Sequence, residues 1–247
     1  MPKASALVMG VGPSQGLGAA LCRKFASEGL FVYVCGRSKQ KLDSVCAEIT
    51  QEGFEAIPIV ADLTNKNDID QMIEIVSHDE SILELAVYNA GNNRMESFLD
   101  LKPEIFEGMW RILCYGAFLS SQAILRLMLD QKEIATNQSI FYTGASGSMR
   151  GKAMFSSFAA GKGAMRLMCQ SIAKEYGPKG IHIAHFIIDG VINGDKVVKG
   201  FPEFAEKLGE QGMLNIDAIA QTYWSVHQQD KSAWTHEVDL RPNIEPF

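Results

Sequence analysis

Between residues 10 and 18 the chain reads Gly10-Val11-Gly12-Pro13-Ser14-Gln15-Gly16-Leu17-Gly18. Glycines at this density make a candidate cradle for phosphate, because backbone N–H groups can approach an anion where no side chain intervenes. A GxGxxG spacing begun at Gly10 fails at Gln15, whereas Gly12-x-x-x-Gly16-x-Gly18 gives a tight turn, a close approach to a pyrophosphate and close helix–sheet packing. Ser14 and Leu17 fall inside this loop and join the candidate set, with an ordinary βα turn as the alternative reading. The second apolar run ends Val34-Cys35-Gly36-Arg37-Ser38, without the acidic residue that would hold a free ribose 2′-hydroxyl. Arg37 suits a 2′-phosphate, which favours NADP(H) over NAD(H); the alternative is a solvated arginine opening the next helix. Far along the chain, Lys162 follows Phe158 by one helical turn, and the candidate hydroxyls are those of Tyr115, Tyr142, Ser146, Ser148 and Ser157, with a loop or capping role as the alternative reading of each. His182 and His185, three apart on an apolar run, face opposite sides of a strand, so no metal site is expected.

These residues need elements to hold them. Apolar runs of strand length (6–9, 31–35, 56–60, 82–88, 139–143, 181–188) alternate with stretches of helical period (17–28, 39–51, 68–77, 103–130, 155–176). Six strands alternating with helices imply right-handed crossovers and a mostly parallel, doubly wound α/β sheet with helices on both faces. No linker or composition shift divides the chain, so residues 1–247 read as a single domain. After Ile188 the rhythm breaks into a substrate-side loop with two short helical segments over 189–235. A C-terminal stretch from Trp234 to Phe247 follows, with a strand-like Glu237-Val238-Asp239-Leu240.

Composition limits the partners. The 247 residues are 47% hydrophobic, ample for a buried core, and the net charge of −6 with scattered basic residues argues against a nucleic-acid or anionic-membrane surface. Five cysteines (Cys22, Cys35, Cys46, Cys114, Cys169) form no CxxC pair and sit mostly in apolar runs, the usage of reduced, buried thiols. The N-terminal Met1-Pro2-Lys3-Ala4-Ser5 enters a strand-like segment without a leader-type apolar region, and no apolar stretch is expected to reach bilayer-spanning length. A soluble, cytoplasmic protein is the expectation.

The glycine loop, Asp62-Leu63 after the third strand, Asn89-Ala90-Gly91 after the fourth and Lys162 beyond together resemble the short-chain dehydrogenase/reductase family over roughly residues 5 to 195. The resemblance implies a Rossmann-type dinucleotide-binding domain. Asp62 and Leu63 would contact adenine, and Asn89, Ala90 and Gly91 would line the floor beneath adenosine. Lys162 would hold the nicotinamide ribose, with Gly190 and Ile192 clasping the amide. It further implies a small-molecule substrate and a homodimer or homotetramer through the long helices around 103–130 and 155–176.

At the chemistry end the pattern breaks. The family's proton-donating tyrosine would stand four residues before the lysine, where this chain has Phe158. One branch spaces it seven before, which lands on Phe155. The carbonyl-polarising serine would stand thirteen before the tyrosine, at Ala145, with Ser146 adjacent as the nearest hydroxyl. Leu113 occupies the station of a water-anchoring asparagine, and Gly194 that of a threonine contacting the amide. Asp189, in place of the family's proline, reads as a turn former. Two functional readings stand: an NADP(H)-dependent oxidoreductase with a degenerate catalytic set, acting on a small carbonyl, enone or imine; and a catalytically deficient NADP(H)-binding sensor, scaffold or partner subunit.

Overall fold

A computed structural model describes residues 3–78, 81–131 and 137–244 of the protein. Met1, Pro2 and residues 245–247 of the C-terminal stretch lie outside them. Seven parallel strands form the main sheet in the order β3-β2-β1-β4-β5-β6-β9: β1 (Lys3–Met9), β2 (Phe31–Gly36), β3 (Ala56–Val60), β4 (Ser81–Tyr88), β5 (Gln138–Thr143), β6 (Ile181–Ile188) and β9 (Glu237–Leu240). The chain runs outward from β1 to β3, then returns to place β4 on the other side of β1. The strand order therefore reverses at β1/β4, where open α/β sheets bind ligands beyond their carboxyl ends. Met9 is in register with Cys35 on one side and Tyr88 on the other, so these strands finish level and deliver their following loops to one rim.

Strand alternation divides the interior into two layers. Ala6 and Val8 of β1 face a core built with α1 (Leu17–Ser27), α2 (Lys39–Gln51) and α9 (Ile216–His227). Leu7 and Met9 face the opposite core, filled by α3 (Lys66–His78), α5 (Gly116–Asp130) and α6 (Ser156–Tyr176). The segment after β6 holds more than the two short helices expected. β7 (Val191–Asn193) pairs in parallel with β8 (Met213–Asn215), and α7 (Asp195–Val198) and α8 (Pro202–Leu208) lie between them, with the longer α9 next. The short strands carry too few residues to show alternation.

The expectation about apolar length needs correction. α4 (Pro103–Trp110), a π-helical turn over Arg111–Tyr115 and α5 form one 28-residue helix containing a window of mean hydropathy 1.5, long and apolar enough to cross a bilayer. Packing accounts for the apolarity of its second half, since Gly116, Ala117, Ser120, Ser121, Ile124, Leu125 and Met128 are buried. The π turn has a visible cause. Tyr88 Oη donates to the Ile112 carbonyl at 2.6 Å, and a Cβ on Gly116 would lie 2.6 Å from Tyr88 Oη. All five cysteines are free and buried, as their apolar settings predict.

Candidate active site

Gly10 leaves β1 at φ +89°, and its N–H and that of Val11 both donate to the Cys35 carbonyl at 2.9 and 2.8 Å. Asn89 ties in the neighbouring strand end, its N–H donating to Met9 O at 2.9 Å and its Nδ2 to Gly10 O at 3.3 Å. A Cβ on Gly18 would lie 3.0 Å from Val11 Cα and 3.1 Å from Asn89 Nδ2, so α1 begins directly against this knot. Above it the loop is open: a Cβ on Gly12 would meet nothing within 4 Å. Gly16 caps α1 in an extended conformation with no side-chain cap, leaving first-turn N–H groups and the positive end of the helix dipole for an anion. These features fit a dinucleotide pyrophosphate. Two members of the loop are placed otherwise: the Ser14 hydroxyl donates to Glu48 Oε2 at 2.7 Å, and Leu17 is buried in the core.

Arg37 stands exposed at the end of β2 and, among the described residues, has no hydrogen bond or ion pair. Its charge reaches Asp62, whose Oδ1 accepts from Thr64 N and Oγ1 at 2.9 and 2.8 Å. Partial burial opposes ionisation of Asp62, but the Thr64 bonds and the Arg37 and Arg111 charges outweigh it and hold the carboxyl below its ordinary value. Leu63 and Ala90 are buried beside it, while Gly91 is exposed at the rim.

On α6, Lys162 is 5% exposed and donates from Nζ to the Thr143 carbonyl at 2.6 Å. Burial brings its pKa down to about 8, so the ammonium is poised to lose a proton near neutrality. Phe158, one turn earlier, presents its ring edge to Gly147, where a Cβ would lie 2.9 Å from Cδ1 and Cε1. Leu113, fully buried in the π turn, fills the space between Gly161 and Gly91; Cβ atoms there would come within 2.7 and 3.0 Å of it. The hydroxyl candidates separate by placement. Tyr142 is sealed in the core against Ser121, Ser157 is buried, and Tyr115 stacks between Trp110 and Phe118. Ser148 turns inward, its Oγ accepting from Ala145 N at 3.1 Å within the short 3-10 turn Ser146–Ser148. Ser146 stays part-exposed at the start of that turn.

Asp189 is an ion-pair centre rather than only a turn former. It is 2% exposed; Arg150 Nη2 donates to both its oxygens at 3.1 and 2.9 Å, and Arg241 Nη2 lies 3.1 Å from Oδ2. Arginines 39 residues before and 52 after it give no local signal, but a lone aspartate closing an apolar strand is a hint that a partner waits. Gly190 packs on Pro242, and Ile192 is half-buried in β7. Beyond them the chain folds back onto the glycine loop: Asp195 N donates to Gln15 O at 2.7 Å, and a Cβ on Gly194 would sit 2.7 Å from that oxygen. A threonine at 194 would collide with Gln15. Lys196 Nζ donates to Asn92 Oδ1, tying α7 across the mouth to the loop after β4.

The two histidines of β6 do face opposite ways. His182 Nε2 donates to Thr235 O at 2.8 Å and stacks on Trp234, whereas His185 turns to Glu237. Among the described residues no group of His, Cys, Asp and Glu has metal-binding geometry. Burial, with Lys162 and Arg166 adding, pushes His185 down to about 4 against the pull of Glu237. An unfolded imidazole near 6.5 takes up a proton first as pH falls, so this stability is whole above about 6.5 and drains as pH drops through 4. Calorimetry should show a loss of roughly 3 kcal/mol over that window, and His185→Asn should lose less.

The short chain dehydrogenase family model matches residues 6–198. A 3-oxoacyl-[acyl-carrier-protein] reductase from Synechocystis is 31% identical over 70% of this chain and 68% of its own. A short-chain dehydrogenase from Rhodopseudomonas palustris, solved by crystallography, is 32% identical, covers 97% of this chain and 98% of its own, and superimposes with a TM-score of 0.81. A metagenomic short-chain oxidoreductase crystallised with NADP shares the fold at 22% identity and a TM-score of 0.80, over 98% of both chains. With its glycine loop, Asn89 anchor and buried Lys162 in place on a seven-strand parallel sheet, the chain belongs to the short-chain dehydrogenase/reductase family.

Proposed function

We propose that the protein is an NADP(H)-dependent oxidoreductase that reduces, or forms in reverse, a small and rather apolar carbonyl, enone or imine with an incomplete catalytic set. The observation that carries this reading is Lys162: a buried ammonium held by Thr143 and set beside Gly91 at the rim where the strands end. Keeping a lysine desolvated there is costly, and a purely structural position would take an apolar residue. Bound at this rim, the reduced cofactor supplies the hydride. Gly12, Gly16, Gly18 and the α1 N-terminus hold its phosphates; Arg37 takes the 2′-phosphate; Asp62, Leu63, Asn89, Ala90 and Gly91 form the adenosine wall. Lys162 orients the nicotinamide ribose, and Gly190 and Ile192 bracket the amide. Ser146 is the nearest accessible hydroxyl to polarise a carbonyl, and Phe158 closes the pocket where a tyrosine would donate.

The 189–235 segment acts as the substrate-side cover, supported by its ties to Gln15 and Asn92. Met95 and Met154, both exposed on adjoining loops joined by the Glu96 N to Met154 O bond, favour an apolar substrate at the mouth. Exposed Phe118, Leu129 and Leu167 on the long helices support a homodimer or homotetramer, which light scattering would detect. The buried, unpaired thiols accord with a reducing compartment such as the cytoplasm.

Phenylalanine at 158 and leucine at 113 favour a second reading, a protein that binds NADP(H) without turnover and serves as sensor, scaffold or partner subunit. Both readings require cofactor binding and part on catalysis. Substrate-dependent loss of NADPH across a panel of aldehydes, ketones and enones supports the enzyme; tight binding with no consumption supports the second. Cofactor choice has its own test. Arg37→Ala should weaken NADPH binding about 10–100-fold, the worth of a charged hydrogen bond, and leave NADH nearly unchanged. Equal losses by titration calorimetry would remove the 2′-phosphate assignment.

A further inference from the structure

Segment 194–199 touches both sides of the crevice where the strand order reverses. Gly194 packs on the glycine loop, where a Cβ would lie 2.7 Å from Gln15 O and 3.7 Å from Gly16 Cα, and Asp195 N donates to that Gln15 oxygen at 2.7 Å. The next side chain reaches the other side: Lys196 Nζ donates to Asn92 Oδ1, one residue past Asn89-Ala90-Gly91. Those two sides are neighbours, since a Cβ on Gly10 would lie 2.4 Å from Ala90 N. The lysine therefore lies as a bar between the glycine loop and the loop after β4. Its partner is a neutral amide. Asp195 is paired with Lys199 at 2.9 Å, and among the described residues no carboxylate forms an ion pair with Lys196. The glycine loop meanwhile carries no basic residue from Gly10 to Gly18, and Arg23, the first after it, is held by Ser14 O and Glu48. In the arrangement proposed above Arg37 takes the 2′-phosphate and Lys162 the ribose. A doubly charged pyrophosphate would then meet backbone N–H groups alone, in a protein whose net charge is −6.

We propose that Lys196 supplies the missing cation by exchanging partners: on dinucleotide binding its ammonium leaves Asn92 for the pyrophosphate oxygens and draws segment 194–199 down as a strap over the cofactor. The exchange replaces a bond to a neutral amide by one to an anion, roughly twice as strong. Asp195 N stays on Gln15 O as the hinge, while the flexible four-carbon stem of the lysine swings. Asn92 is the holding partner, which keeps the ammonium over the cleft before the cofactor arrives.

Lys196 has this role only if a dinucleotide binds here, as proposed above, and binding measurements on the whole protein separate the two claims. Lys196 is exposed and makes a single side-chain bond, so Lys196→Met should fold with an unchanged melting temperature. By titration calorimetry it should bind NADPH about 10–100-fold more weakly, while adenosine 2′-phosphate, which has no pyrophosphate, binds as it does to the wild type. Equal NADPH affinity, or a parallel loss for adenosine 2′-phosphate, overturns the assignment. Asn92→Ala frees the lysine from its competing partner and should tighten NADPH about 2–10-fold; unchanged or weaker binding overturns the exchange. Hydrogen exchange over residues 195–200 should slow when NADPH is added to the wild type and change little in Lys196→Met, and equal slowing in both overturns the strap. A wild type that binds no NADPH fails the dinucleotide reading itself. Equal binding by wild type and Lys196→Met leaves that reading standing and removes only the role of Lys196.

Discussion

Phe158→Tyr, combined with Ala145→Ser, is expected to raise carbonyl reduction by about 10²-fold, within the range that a positioned general acid contributes. Residue 158 lies one turn before Lys162 on α6, its ring edge seated against Gly147, and a tyrosine in that seat would add its hydroxyl at the ring tip. The desolvated Lys162 would then lower the phenol's pKa through its charge, as it opposes protonation of His185. Ala145 is extended and part-exposed, a conformation serine also adopts. Leu113 stays in place, which is why the gain falls short of the full range. A double variant that folds and binds NADPH but reduces no carbonyl faster would show that residue 158 does not point at the reacting atoms.

Gly10→Ala should be the most damaging single methyl in the cofactor half, costing about 3 kcal/mol. Two costs coincide. Its φ of +89° is left-handed, and a Cβ would lie 2.4 Å from Ala90 Cα and N, backbone atoms that cannot swing aside. Relieving that overlap would part the Met9–Asn89 hydrogen bond and tilt the loop away from α1. The melting temperature should fall by roughly 6–12 °C, with NADPH affinity falling too. Gly29→Ala is the matched control: φ is +92°, but a Cβ there meets nothing within 4 Å, so only about 1–2 kcal/mol of backbone strain applies. Similar losses in both variants, measured by calorimetry, would show that the packing of Gly10 on Ala90 contributes nothing.

How much of this was legible in the chain differs by region. The long strands and helices are visible because burial on both sheet faces demands continuous apolar runs, as in Ile181–Ile188, and α2 spans the residues its period predicts. The glycine loop is legible because Gly10 is left-handed and close backbone approaches at Gly10, Gly16 and Gly18 leave little room for a side chain. What escapes the sequence depends on distant partners. Asp189 reads as a turn residue until Arg150 and Arg241 arrive from two other segments. β7 and β8 are three residues each, below the length at which alternation speaks. Ser14 looked available for phosphate, yet Glu48 on α2 engages its hydroxyl. Gly194, seen in sequence only as a missing threonine, is explained by the close approach of Gln15. The spanning length of helix 103–130 is hard to read from sequence because Arg111 and Arg126 bound an uncharged stretch, 112–125, that is by itself too short to cross a bilayer.

Hydride transfer is the central claim, and mass spectrometry of the product tests it most directly. The wild-type protein is incubated with NADPH deuterated at the transferable position of C4 and with carbonyl substrates that show turnover or, failing that, with the whole panel at high protein concentration. One deuterium on the former carbonyl carbon of a product, absent in a Lys162→Met control, is the predicted result. Saturating NADPH binding with no deuterium in any product would contradict it.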